Sequence, residues 1–214
     1  SLVGSEMCIR DRSTVELARR LPAQLPQDEL VLLFGSRAPE GPVVTGPNVS
    51  HVRVDAAMID PVFEQIRLPS LLEELGADLF HGTCFLTPLA ASKVARVATV
   101  HDVVFRRHPD LVEPGLREYL DRWTCVSCEL ADAVVTVSEF SRREIAALYG
   151  RRVARIDVVP NAVAERFRGL ERRPPRDARF ILYVGSLEPK KRVDELLRAF
   201  DELLRLDPTL PHHL

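Results

Sequence analysis

The chain has 214 residues, 29 basic against 31 acidic, a net charge of −2 and 46% apolar residues. That apolar share supports a real core and excludes wholesale disorder, and the near-neutral balance gives no reason to expect nucleic acid as a partner. No apolar run approaches the roughly 18 residues of a membrane-crossing helix, and four unevenly spaced cysteines read as thiols of a reducing compartment, so a cytoplasmic setting is expected.

The first stretch, "SLVGSEMCIRDR", has no clear period and no signal-peptide h-region. It resembles a translated sequencing-adapter tail, so residues 1–12 read as a non-native leader, and Met7 and Cys8 carry no functional expectation. From Ser13 the pattern is regular. "STVELARRL" predicts a helix with Val15, Leu17, Ala18 and Leu21 on its apolar side, and "ELVLLFG" (29–35) predicts a buried parallel strand. "SHVRVD" (50–55) alternates as a strand does; it follows Asn48-Val49-Ser50, a glycosylation sequon with no secretory signal to support it.

"PVFEQIRLPSLLEELG" (61–76) predicts a helix broken near Pro69 and stopped at Gly76. "ADLFH" (77–81) and "VARVATVHD" (94–102) predict two further strands. In 113–131, Leu116, Leu120, Trp123, Ser127 and Leu130 form a stripe at helical spacing. "DAVVTVS" (132–138) predicts a strand that leads into a helix with Ser141 and Glu144 as capping box and Gly150 as its end. "RIDVVPNAV" (155–163) closes the set. The alternation predicts an α/β fold with a Rossmann-like, doubly wound parallel sheet over residues 13–167.

Residues 168–178, rich in arginine and proline, read as a linker. "FILYVGSLEPKKRVDELLRAF" (180–200) then predicts a strand, a tight turn and a helix with Pro189 near its first position. Val193, Leu196, Leu197, Phe200, Leu203 and Leu204 form its core-facing stripe. "TLPHHL" suits another strand. A lone strand and helix cannot bury enough surface to stand alone, so residues 179–214 read as the opening of a truncated second Rossmann-like unit.

Ligands of open parallel sheets bind beyond the carboxyl ends of the strands. Those ends hold His81, His101 with Asp102, Ser138, Asn161, and Gly185 with Ser186. Two readings stand for each: a turn or cap residue, or a cleft-lining group. Histidine is a poor turn former, and His101 at a strand mouth suits hydrogen bonding to a sugar hydroxyl or proton transfer. Asp102, on the opposite strand face, is expected to brace the following loop.

Lysine occurs at only three positions, Lys93, Lys190 and Lys191. Lys190 and Lys191 beside a helix start, where cations are unfavourable, make sense with an anionic ligand such as a diphosphate. No P-loop, dinucleotide fingerprint or G-x-S-x-G elbow occurs. "CVSC" (125–128) reads as small core residues rather than a zinc site, since no second ligand pair exists. Arg142 to Arg179 hold eleven arginines against five acids, either a solvated face and linker or a patch for anionic lipid headgroups.

"ADLFHGTCFLTPL", "VATVHDVVFRRHP", "ADAVVTVSEFSRREI", "RIDVVPNAV" and "ILYVGSLEPKKRVDELLRAF" occur in the order seen in GT-B-fold glycosyltransferases of family 4. From Ser13 onward the chain resembles the N-terminal domain of that family, its linker and the start of its C-terminal domain. By this resemblance the family's first strand and glycine-rich loop are missing, and its C-terminal glutamate motif would lie beyond Leu214. The resemblance implies retaining transfer of a sugar from a nucleotide-diphosphate sugar, such as GDP-mannose, to a saccharide or lipid-linked acceptor.

The nucleotide sugar is then a co-substrate, and no metal or other cofactor is implied. Contact with the inner face of a membrane fits such acceptors. His101 matches the family's histidine near the donor sugar, Lys191 its diphosphate-binding lysine, and Gly185 the turn before it. His81 and Ser138 match polar cleft positions. Where the family commonly has arginine, this chain has Ser186 or Lys190; Lys190 offers charge without the bidentate fork. As a fragment the chain is expected to be inactive. Two other readings are a nucleotide-sugar epimerase of the same architecture and a non-catalytic nucleotide-binding fragment.

Overall fold

The described strands and helices follow the order that the pattern predicts, and every described strand pair is parallel. The structure, a computed structural model, describes residues 9–35, 44–55, 62–90, 93–150, 155–163, 167, 169 and 179–214. Met7, Cys8 and nearly all of the expected linker lie outside these. The chain divides into two units, residues 1–164 and 165–214.

In the first unit, α1 (Ile9–Gln24) begins four residues before Ser13, so the expected leader enters the helix at Ile9. β1 (Leu30–Phe34) and β2 (Val49–Arg53) form a two-stranded sheet. β1 was expected to be buried but is half-buried throughout, because β2 is its only strand partner among the described residues. Phe63–Arg67 form a π-helical turn that runs into α2 (Leu68–Glu74). The helix widens into a π-turn there rather than breaking. Pro69 has no N–H to give, and the Leu68 N–H reaches back to Phe63 O, one residue further than in an α-helix.

A four-stranded sheet follows in the order β3 (Leu79–Gly82), β4 (Ala95–Thr99), β5 (Ala133–Thr136), β6 (Ile156–Val158). Between β4 and β5 lie α3 (Val104–Arg107) and α4 (Pro114–Leu130), and α5 (Glu139–Tyr149) joins β5 to β6. The core gathers Phe85, Ala98, Val100, Phe105, Leu120, Cys128, Val134, Ile145 and Tyr149. Ile145, Val100 and Val134 are wholly enclosed, each worth about 1.5–3 kcal/mol of apolar transfer. A smaller cluster joins Leu68 and Leu72 of α2 to Val94, with Leu33 of β1 and Phe80 of β3 against it.

α4 carries the expected stripe with one change of edge. Leu120, Thr124, Ser127 and Cys128 are its buried residues, while Leu130 at the last turn is exposed. α5 is capped three residues earlier than expected. Its cap is Ser138, whose Oγ accepts from Ser141 N at 3.0 Å, and Glu144 pairs with Arg107 instead of closing a capping box with Ser141. Gly150 ends the helix at φ +62°, as predicted.

In the second unit the strand is shorter than predicted: only β7 (Arg179–Phe180) pairs, with β8 (His212–His213). The helix also starts later. Pro189–Lys191 form a separate 3-10 turn, Arg192 takes a left-handed conformation (φ 52°, ψ 40°), and α6 (Val193–Leu206) begins after it. Asp194 and Glu195 occupy the first turn of α6, where the helix dipole favours anions. Val193, Leu196, Phe200 and Leu204 are half-buried, whereas Leu197 and Leu203 are exposed. No described residue of this unit is buried, as expected where two short strands have one helix to cover them.

Asn48 gives the sequon a structural role. Its Nδ2 donates to Leu25 O and Asp28 O at 2.9 Å and lies 3.3 Å from Pro22 O, so it satisfies carbonyls freed at the end of α1. Both amide hydrogens are committed, and a glycan on this nitrogen would break the cap. Asn48→Ala should destabilise the protein by about 1–2 kcal/mol, measured as a lower thermal midpoint. An unchanged midpoint would remove this role.

Candidate functional site

The mouth of β4 carries the most enclosed of the expected site residues. β4 stops pairing at Thr99, Val100 N still donates to Val135 O at 2.8 Å, and the chain then turns out of the sheet at His101. The imidazole is 7% exposed and its Nε2 lies 3.0 Å from Thr83 O. A carbonyl only accepts, so Nε2 carries a hydrogen. Phe85 stands edge-on to the ring, with centroids 6.2 Å apart at 70°.

Phe85 itself sits at φ +68°, a left-handed conformation that a bulky aromatic residue rarely takes. Its N–H to Thr99 O at 2.9 Å and its burial against Phe105 hold it there. The loop comes this close only because residue 82 is glycine: a Cβ at Gly82 would overlap the Leu86 carbonyl. The carbonyls of Val100 and His101 are met by hydroxyls, Thr136 Oγ1 at 2.7 Å and Ser141 Oγ at 3.0 Å.

Asp102 is exposed, and its Oδ1 accepts from Val104 N at 3.1 Å, starting α3. It braces the loop, as read from the sequence. Arg106 pairs with Asp121 of α4 and Arg107 with Glu144 of α5, so the segment after His101 is tied to both neighbouring helices. The close hydrogen bond to Asp121 also raises the Arg106 pKa.

His81 lies on β3, its Nε2 2.8 Å from Thr99 Oγ1, and burial lowers its pKa. Ser138 caps α5 and its hydroxyl donates to Ser141 Oγ at 3.0 Å. Through Ser141 it joins the His101 network. Asn161 is exposed and accepts from Ser13 Oγ at 3.0 Å; no hydrogen bond joins it to His101. Two solvent-open depressions of this unit are lined by Pro26–Glu29 with Pro47–Ser50, and by Phe105, Arg106, Pro109, Arg117, Glu118 and Asp121. Neither contains His81, His101 or Ser138.

In the second unit the turn closes on itself. Tyr183 Oη donates to Ser186 O at 2.9 Å, and a Cβ at Gly185 would push against the Tyr183 phenol, so a larger residue there would displace that ring. Glu188 accepts from Ser186 Oγ at 2.6 Å and pairs with Lys190 Nζ at 2.6 Å. These bonds, that to Lys190 first, lower the Glu188 pKa. Lys191 makes no ion pair among the described residues. Neither lysine is in the first turn of a long helix, so the dipole argument for an anion does not apply; the lysines' own charge and the turn remain.

Cys128 is fully buried on α4, and burial raises its thiol to about 12. Cys125, half-buried, donates to Glu129 at 3.4 Å. Among the described residues no group of three or more His, Cys, Asp or Glu is placed to hold a metal ion, and no helix is long and apolar enough to cross a membrane. Sequence reading missed Thr83, Phe85, Thr136, Ser141 as a partner of His101, and Glu188. The available signals were a lone threonine in the apolar run 133–137 and an acid two residues after Ser186.

Residues 11–167 match the model of Glycosyltransferase Family 4, and the chain belongs to that family. It is 28% identical to O-antigen chain mannosyltransferase B of Escherichia coli over 145 residues, covering 64% of this chain and 37% of that protein. It is 28% identical over 248 residues to the D-inositol 3-phosphate glycosyltransferase of Thermomonospora curvata, covering 94% of this chain and 54% of that protein. The enzyme so named from Kineococcus radiotolerans is 39% identical over 93 residues, 37% of this chain and 20% of the relative. The chain thus spans about half the length, or less, of these relatives.

The lowered pKa of His81 gives a pH signature. Unfolded, its imidazole takes a proton near pH 6.5, whereas the folded ring stays neutral to lower pH. The unfolded state therefore binds more protons, and stability falls as pH drops below about 6.5, until the folded ring also protonates. His81→Gln should flatten this part of the thermal-midpoint profile between about pH 7.5 and 5. An unchanged slope would mean that His81 is not the group.

Proposed function

We propose that the full-length protein is a retaining glycosyltransferase that moves a sugar from a nucleotide-diphosphate sugar to a saccharide or glycolipid acceptor. The observation that carries this reading is the buried His101 at the mouth of β4, with its ring hydrogen directed to Thr83 O and its backbone held from β5 and α5, in a chain of glycosyltransferase family 4. Relatives named as a mannosyltransferase and as D-inositol 3-phosphate glycosyltransferases make GDP-mannose the first donor to test. They make saccharide ends and sugar phosphates the first acceptors.

In this reading His101 lies beside the donor sugar, with His81, Asp102, Ser138 and Asn161 in supporting polar positions. Gly185, Ser186, Lys190 and Lys191 receive the donor diphosphate. Lys191 is the readiest cation. Lys190 first has to leave Glu188, and an exposed pair of that kind is worth only about 0–1 kcal/mol. A charge-assisted bond to a phosphate oxygen, about 1.5–3 kcal/mol, exceeds that. No metal is required for the lysines to stabilise a diphosphate leaving group. Acceptors on lipid carriers would bring the protein to the inner face of a membrane.

In the full-length protein, His101→Ala should lower kcat/KM for transfer by about 100-fold or more with the circular-dichroism spectrum unchanged; wild-type transfer would end the assignment. Lys191→Ala should weaken nucleoside-diphosphate binding by about tenfold and leave acceptor KM unaltered. Equal losses on both substrates would count against the diphosphate contact.

A further inference from the structure

Past the last ladder bond of β4, Val100 still faces β5, whose next backbone N–H would meet its carbonyl if the ladder continued, and the His101 carbonyl follows as the chain turns out. Two side-chain hydroxyls stand there instead. Thr136 Oγ1 donates to Val100 O at 2.7 Å and Ser141 Oγ donates to His101 O at 3.0 Å. Thr136 is wholly enclosed and Ser141 is 7% exposed.

The direction of the chain of hydrogen bonds is set by chemistry. A carbonyl cannot donate, so the single Ser141 proton goes to His101 O, and the Ser138 hydroxyl donates to Ser141 Oγ. Ser138 Oγ meanwhile accepts from Ser141 N. On the other flank the ring of His101 is tied to Thr83 O. Valine would fill the same volume as Thr136 in the apolar run 133–137 and suits a strand as well, so packing alone does not call for the hydroxyl.

We propose that Thr136 and Ser141 are positioning residues for His101, two hydroxyls that replace the sheet ladder and hold the histidine backbone at the point where it turns into the site. The inference rests on the reading of His101 as a participant in transfer. Neither residue is assigned contact with substrate.

The test is a double-mutant cycle in the full-length protein, with Thr136→Val, Thr136→Ser and Ser141→Ala each made in the wild type and in His101→Ala. Thr136→Val and Ser141→Ala should lower kcat by about tenfold or more while donor and acceptor KM stay within about twofold, and Thr136→Ser should restore the rate. In the His101→Ala background the same changes should cost less than about twofold. Equal losses in both backgrounds, or a loss that serine does not restore, would overturn the proposal. A second readout does not use activity: the His101 ring resonances should move in Thr136→Val and Ser141→Ala while those of His81 stay put. Unmoved His101 signals would overturn it. Should His101→Ala transfer sugar normally while these signals move, the role of His101 in transfer falls and the backbone coupling stands.

Discussion

A buried carbonyl that loses its partner costs about 1–3 kcal/mol unless another donor reaches it. β4 leaves its sheet with two such carbonyls, those of Val100 and His101, at its enclosed end. Val100 is fully buried, and so are Ala98 before it and Val134 on the neighbouring strand, so water is not there to serve them. The side chains of Thr136 and Ser141 serve them instead. The chain can then turn out of the sheet within the core instead of fraying.

The rest of the first unit's site follows from that turn. For the ring of His101 to be covered, the loop after β3 has to fold back close to β4, and this places Gly82, Thr83 and Phe85 where they are. Gly82 admits the backbone, Thr83 offers its carbonyl to the ring, and Phe85 walls it from the side. The left-handed Phe85 costs about 1–3 kcal/mol. Burying its side chain returns a comparable amount, so the strain is sustained locally. Arg106 and Arg107 then anchor the outgoing segment to α4 and α5.

Much of this was legible from period and punctuation. The strand ends at His81, His101 and Ser138 were placed by their apolar runs, and the loop-bracing role of Asp102 followed from its position across the strand from His101. Hydrogen bonds between distant segments were not legible. Ser141 reads as a helix cap because it precedes Glu144 by three residues, and its bond spans forty positions to His101. The second unit departed further from its pattern. Pro189 marks a helix start in sequence, but Arg192 interrupts the chain with a left-handed residue, and α6 begins where Asp194 and Glu195 suit its dipole. Glu188 was overlooked because an exposed acid has no pattern; only its distances to Ser186 and Lys190 reveal it.

The central claim is that the backbone holds His101 in one orientation, with its Nε2–H given to Thr83 O. Nitrogen-15 NMR of the imidazole ring measures this directly. The account predicts a hydrogen held on Nε2 and donated to Thr83 O. A ring with no hydrogen on Nε2, or one exchanging between both tautomers as a solvent-exposed histidine does, would contradict it.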